Sequence, residues 1–336
     1  MAVLLLKDVL PSAASFALQN ELLSKAAERI TPATEELINF PHQIKEFIEK
    51  GITPRVLAMV DFLTTIVSSV YPIYVLPNFS SESTFNILCR LAPLLADYVP
   101  IMIRDKNNCR IGTRIFEALS LTFESTIIGH TNADLEINQA NKMLEFLEAF
   151  LLHADCQTRN FGLETMRMIG IPYSTFWKRS DAVDVLRCRL KNCLCKLLED
   201  SSINVAKAAC RELSYALKYN MIGYDEEWFR ELKEQIRTNE TKPEQETEED
   251  ILRRRGGVLG LRSIIQAHAS NVPDYLPEVI TEVAKHAGDP EPIGQIATET
   301  MDMYYYSVFR FLTLWDRRKF SAKQHEIIES FISREK

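Results

Sequence analysis

Glycine and proline are scarce, 11 and 14 in 336 residues, and both cluster where apolar periodicity breaks. That leaves helices joined by short turns as the reading, and no strand pattern competes with it. Positive charge is short too. With 39 Lys and Arg against 46 Asp and Glu the formal charge is -7, which argues against a general nucleic-acid binder, because such a protein needs a positive face to displace counterions. A local basic patch is still compatible with that balance. The opening MAVLLLKDVL is too short an apolar run, broken by Lys7, to act as a secretory leader. Seven cysteines, an odd number in a chain of this length, are not a disulfide framework and point to reduced thiols in the cytosol or nucleus. The longest apolar stretch, Val56 to Leu76, carries Asp61 and Pro72. It therefore reads as a buried helix ending before Pro72 and not as a membrane span.

Catalytic patterns are missing as well. The six histidines, at positions 42, 130, 153, 268, 286 and 325, form no HExxH or other tight set, and there is no nucleophile elbow, kinase set or carboxylate pair with a definable substrate. Solitary histidines of this kind read as solvated or capping. His153 and Cys156 are close in sequence, which does not make a catalytic pair. Cys188, Cys193 and Cys195 lack CxxC spacing and a nearby histidine, and on a helix Cys193 and Cys195 point about 200 degrees apart. They read as core thiols. No enzyme activity, metal or cofactor is expected.

What is present is helical periodicity. In the segment 181–200 Leu186, Leu190, Cys193, Leu194 and Leu197 share one helical face, and in 203–220 Val205, Ala209, Leu213 and Leu217 do the same. The intervening EDSS supplies a turn and an N-cap, which makes an antiparallel hairpin. Similar hairpins are expected over 96–121, 144–166 and 283–301. Their inter-helix aspartates Asp105, Asp155, Asp200 and Asp289 fall at intervals of 50, 45 and 89 residues, one or two repeats of HEAT length, each expected to cap the second helix of its pair. The expected fold class is all-α, a HEAT/armadillo-like helical-hairpin solenoid. Three parts are expected: a repeat array over 1–237, a flexible acidic loop over 238–250 (TNETKPEQETEED) and a last helical block over 251–336.

The stretch RRRGGVLGLRSII, Arg253 to Ile265, admits two readings. Its glycines match neither a P-loop nor a dinucleotide fingerprint. On a helix Gly256, Gly257 and Gly260 open one narrow side, and since each costs about 1 kcal/mol of propensity, close packing against a neighbouring helix must compensate. The arginines then read as a solvated or acid-paired helix start. In MDMYYYSVFRFLTLW, Tyr305 and Phe309, and Phe311 and Trp315, stand i,i+4. Aromatics thus occupy more than one helical face, and the helix is expected to dock on the preceding repeat and leave a partner-facing rim.

GGVLGLRSIIQAHASNVPDYLPEVITEVAKHAGDPEPI followed by FRFLTLWDRRKFSAKQHEIIESFIS resembles the C-terminal region of the proteasome activator complex subunit 4 family, the large single-chain HEAT-repeat activators whose fungal member is associated with bleomycin sensitivity. The marks are GVLGL, VPDYLP, DPEPI and the spaced Phe309, Trp315, Phe320 and Gln324, and the likeness runs from Asp155 to Ser333. The resemblance implies a non-catalytic protein of cytoplasm and nucleus that binds the proteasome core particle. It also implies a terminal anchor of a hydrophobic residue, tyrosine and one final residue that helps open the core's gate. Arg334, Glu335 and Lys336 do not match that anchor, so gate opening is expected to be weakened more than the fold, in a short relative or a piece of a larger product. The family's acetyl-lysine recognition, on histones among other targets, maps by resemblance onto Asn220 and Met221, with Tyr219 and Tyr224 as candidate walls. An asparagine directly after a helix also fits the left-handed C′ position. The acidic 238–250 segment lacks the basic, import-competent character of some members. A plain HEAT scaffold is the remaining alternative.

Overall fold

The structure, a computed structural model, describes residues 133–170, 176–178, 183–237 and 246–333. The apolar stretch 56–76, the hairpin expected over 96–121 and Asp105 lie outside them. Every α- or 3-10 element among the described residues is helical and none is a strand, and no helix among them is long and apolar enough to cross a membrane. The chain divides into two units at Phe176 and Trp177.

In the first unit α1 (Ala133–Leu151) and α2 (Cys156–Gly170) form a hairpin. Asp155 caps α2: its carboxylate accepts from the Thr158 amide at 2.8 Å and hydroxyl at 3.2 Å. His153 Nδ1 accepts the Asp155 amide at 3.0 Å, so this histidine closes the turn while Cys156 is exposed. The helices cross tightly at Gly162, where an added Cβ would sit 2.8 Å from Phe150 Cβ.

In the second unit α3 (Asp184–Leu198) and α4 (Ile203–Lys218) form the hairpin expected from their periodicity, burying Leu186, Leu190, Cys193, Leu194 and Leu197 on one helix and Val205, Ala209, Leu213 and Leu217 on the other. Asp200 accepts the Ser202 amide at 2.9 Å and tightens the turn, while Ser202 holds the N-cap position without a side-chain bond. Cys188 corrects the core-thiol reading, since it is exposed on α3 while Cys193 is buried. α5 (Glu226–Ile236) is capped by Asp225, whose carboxylate accepts the Trp228 amide at 2.6 Å and pairs with Lys191 of α3 at 2.8 Å.

The organising element is α6 (Glu248–Ala267), which packs on α3, α4 and α5 before it and on α7 (Leu276–Lys285) and α8 (Ile293–Ser307) after it. From Arg254 to Leu261 every residue of α6 is buried, as suits a helix enclosed on all sides. It begins inside the segment expected to be loop. A reciprocal capping box between Thr247 and Asp250 starts the helix at Glu248, and Glu248, Glu249 and Asp250 lie in its first turn, where acidic charge is favourable.

The aromatic segment is not one helix. α8 ends at Ser307, Phe309–Phe311 is a 3-10 turn, and Thr313 caps the short α9 (Leu314–Arg317) by accepting the Asp316 amide at 3.2 Å. α10 (Ala322–Ser333) then packs on α7 and α8. Tyr304 and Phe309 are buried beneath the turn, with Phe320 edge-on to Phe309 at 5.6 Å. Asp289 also departs from expectation, for it does not cap α8 and instead bonds Arg254 and His286.

Candidate functional site

The end of α4 carries the four residues of the suggested acetyl-lysine site. Asn220 has φ 58, the left-handed conformation that asparagine tolerates better than most side chains. The Met221 amide donates to the Ala216 carbonyl at 2.8 Å and the Asn220 amide to Leu217 at 3.1 Å, the paired bonds of a Schellman termination. Met221 is 2% exposed and so is committed to the core beneath the turn. Tyr219 stacks on Tyr215 with centroids 6.5 Å apart, and Tyr224 stacks on Tyr275 at 3.6 Å and 8°. The structure thus gives the two tyrosines different ring partners.

Tyr224 belongs to an aromatic and polar cluster on which the sequence reading was silent. The Tyr275 hydroxyl meets His268 Nε2 at 2.7 Å, and His268 Nδ1 meets Asn271 Oδ1 at 3.1 Å. An Nδ1–H donating to Asn271 leaves Nε2 to accept from Tyr275, so the neutral tautomer satisfies every partner. Burial lowers the His268 pKa, with the Asn271 bond opposing it. Burial, aided by Glu278, pushes Tyr224 up to about 12, so its hydroxyl is a donor at neutral pH. Only the spacing of His268 and Tyr275 across the VPDY turn could have signalled this contact, and such spacing has no specific pattern.

The glycines of α6 lie at close helix contacts. A Cβ on Gly257 would fall 2.6 Å from Ile236 Cγ1 and 2.9 Å from the Leu232 carbonyl oxygen, one on Gly260 2.5 Å from Leu232 Cδ2, and one on Gly256 2.7 Å from Glu199 Cγ. Arg254 and Arg255, beside them, are 2% and 5% exposed, so neither is solvated, and Arg254 takes the acid-paired alternative. Arg254 donates to the Ile236 carbonyl at 2.9 Å and pairs with Glu246 and Asp289, both at 2.6 Å. Arg255 donates to the Asp200 carbonyl. One guanidinium therefore ties the end of α5, the entry to α6 and the α7–α8 turn together. His286 joins this group through Asp289 at 2.9 Å.

Burial pushes the thiols of Cys195 and Cys210 to about 12, which keeps both protonated and poorly nucleophilic near neutrality. Among the described residues no cluster of histidine, cysteine and carboxylate is arranged to hold a metal. The geometry on view is that of packing and surface contact.

One family model falls on the end of this helical block, and a match to a relative extends over more of the chain. Residues 251–336 match the family model described as proteasome activator complex subunit 4-like, C-terminal. The chain is 25% identical over 233 residues to proteasome activator complex subunit 4A of Danio rerio, a match covering 67% of this chain and 12% of that protein. It is 24% identical over 138 residues to the human proteasome activator complex subunit 4, covering 38% of this chain and 7% of the relative. The chain thus spans a small part of the length of the activators it matches, and the family-model match begins within α6 and takes in α7 to α10.

Proposed function

We propose that this chain is a non-catalytic regulator that binds the proteasome core particle through a surface of HEAT-like helical pairs. The match of residues 251–336 to the C-terminal family of subunit 4-like activators carries the reading. The α3–α4 hairpin and the packing of successive helices on α6 support it as a scaffold. The test is native-gel binding of the purified chain to latent core particles, with peptide hydrolysis read in the same lanes. A shifted band with increased hydrolysis identifies an activator, and a shifted band alone identifies a binder or competitor. No shift at micromolar protein overturns the proposal.

The acetyl-lysine reading draws less support, because Met221 is buried and Asn220 terminates a helix. Its discriminating variant is Asn220→Gly, which keeps the left-handed backbone and removes the amide. A reader at this site loses selectivity for acetylated over unmodified histone peptides in that variant. Equal binding of both peptides by the unaltered chain ends the idea.

A further inference from the structure

The turn from Arg310 to Arg318 displays three large apolar side chains to solvent: Phe311 is 75% exposed, Leu314 78% and Trp315 76%. Such a concentration within five residues is unlike the scattered exposed apolar residues of an ordinary surface. The support beneath it is firm. Phe309 and Phe320 are buried, Arg317 lies 5.3 Å over the Phe309 ring, and the Thr313 hydroxyl donates to Asp316 at 2.6 Å. Lys319 is pinned to Asp274 at 3.1 Å. The turn that carries the apolar groups is thus braced before any partner arrives, which reduces the entropy lost on binding.

Charge indicates what fits. Arg310 and Arg318 are exposed, and neither forms an ion pair among the described residues. Arg318 lies over the Trp315 ring at 4.9 Å, and the one carboxylate in the turn, Asp316, is engaged by Thr313. This un-neutralised positive charge sits on a chain whose formal charge is -7. Tryptophan and arginine together make the centre of many protein interfaces. A nucleic acid would meet the repulsion of the whole chain with few cations to offset it, and Leu314 offers no stacking face. α9 is four residues long, too short to lie in a bilayer surface as an amphipathic helix.

We propose that this turn docks a protein segment in which carboxylates alternate with apolar side chains, the carboxylates meeting Arg310 and Arg318 and the apolar groups covering Phe311, Leu314 and Trp315. The proposal stands apart from the proteasome reading and is tested without proteasomes. Trp177 and Trp228 are each 2% exposed, so acrylamide quenching of the full chain reports chiefly on Trp315. The probe is a fluorescein-labelled peptide alternating Glu with Leu and Phe, followed by anisotropy and by protection of Trp315. Its Lys-for-Glu counterpart, a short single-stranded oligonucleotide and phosphatidylserine vesicles are competitors. Saturable binding of the acidic peptide is expected, weakened about tenfold or more by Phe311→Ser with Leu314→Ser and similarly by Arg310→Glu with Arg318→Glu, with circular dichroism and melting unchanged. Absence of binding, equal binding of the basic peptide, or tighter binding of oligonucleotide or vesicles overturns the proposal. So does a Trp315 already shielded in the free chain: shielding at all concentrations means its own residues cover the turn, and shielding only at high concentration means a second copy does.

Discussion

Two arginine-bearing regions of the same unit use one side chain in opposite ways. At Arg254 the guanidinium is buried, with its donors placed on a backbone carbonyl and two carboxylates. At Arg310 and Arg318 the guanidinium groups stand in solvent with no carboxylate partner among the described residues, beside apolar side chains that are exposed as well. The first region is complete in itself and joins three segments of chain. The second leaves both its charge and its apolar surface for something else to satisfy. Burying a charge is tolerable only with partners, so the first arrangement concerns stability. An exposed charge beside a rigid apolar turn adds little to stability, and its use lies in recognition.

The sharpest way to break this contrast is Arg254→Ala. The substitution strands the carboxylate of Glu246, leaves Asp289 with His286 alone, the two carboxylates being 21% and 25% exposed, and takes away the donor to Ile236. A loss of about 3–5 kcal/mol is expected, read by urea unfolding at neutral pH. A loss below about 1 kcal/mol would place this arginine with the exposed ones.

Next in size is the close contact beside it. Gly257→Ala gains about 1 kcal/mol of helix propensity but drives a methyl against Ile236 and the Leu232 carbonyl oxygen, the latter a backbone atom that cannot swing aside. A net destabilisation of about 1–2 kcal/mol is expected. Gly223→Ala, with nothing within 4 Å of the new Cβ, serves as the control and is expected to be near neutral. If Gly257→Ala stabilises the chain, α5 and α6 are not in close contact there.

The pH dependence sharpens the same comparison, because His286 belongs to the Arg254 group. Burial opposes its charge, but the Glu282 carboxylate 3.9 Å away and the bond to Asp289 outweigh burial and raise its pKa. Its stabilisation is therefore full below the unfolded value near 6.5 and is lost as pH rises through the folded value. Its neighbour Glu282 is lowered to about 2, chiefly by His286 beside it, so that share is present above the unfolded value and lost on strong acidification. His268 has the opposite sign. Its lowered pKa makes the protein lose stability as pH falls below about 6.5 toward the folded value. Unfolding midpoints measured between pH 5 and 8 are expected to lose their alkaline slope in His286→Asn and their acid slope in His268→Asn. An unchanged alkaline slope in the first variant would mean that His286 is not held by the carboxylates.

The amino-acid pattern carried much of this and missed the rest for physical reasons. The faces of α3 and α4 were legible because their apolar residues repeat with the helical period and leucine rarely has another use there. Asn220 as a helix end was legible because few residues enter the left-handed region. For Arg254 the pattern left solvated and acid-paired open, because its acceptors converge from Ile236, Glu246 and Asp289, at different separations along the chain. The aromatic segment misled by satisfying a helical period on several faces at once. Its break was nonetheless signalled by Thr313 standing three residues before Asp316, a helix-start pattern, and that start is what sends Leu314 and Trp315 outward.

The smallest expected effect on stability separates two residues of one 3-10 turn. Phe309 is 2% exposed and touches Phe320, Tyr304 and His325, so Phe309→Ala is expected to remove about 3 kcal/mol. Phe311 is 75% exposed, so Phe311→Ser should change stability by no more than about 0.5 kcal/mol, and Trp315→Ser likewise. Thermal melts of the three variants decide the matter. If Phe311→Ser or Trp315→Ser lowered the melting temperature as Phe309→Ala does, the exposed turn would already be packed against its own chain and would have no surface left for a partner. If both leave melting unchanged, these large apolar groups are not retained for folding, and the reason for two arginines and three bulky side chains on one rigid turn must lie outside the folded unit.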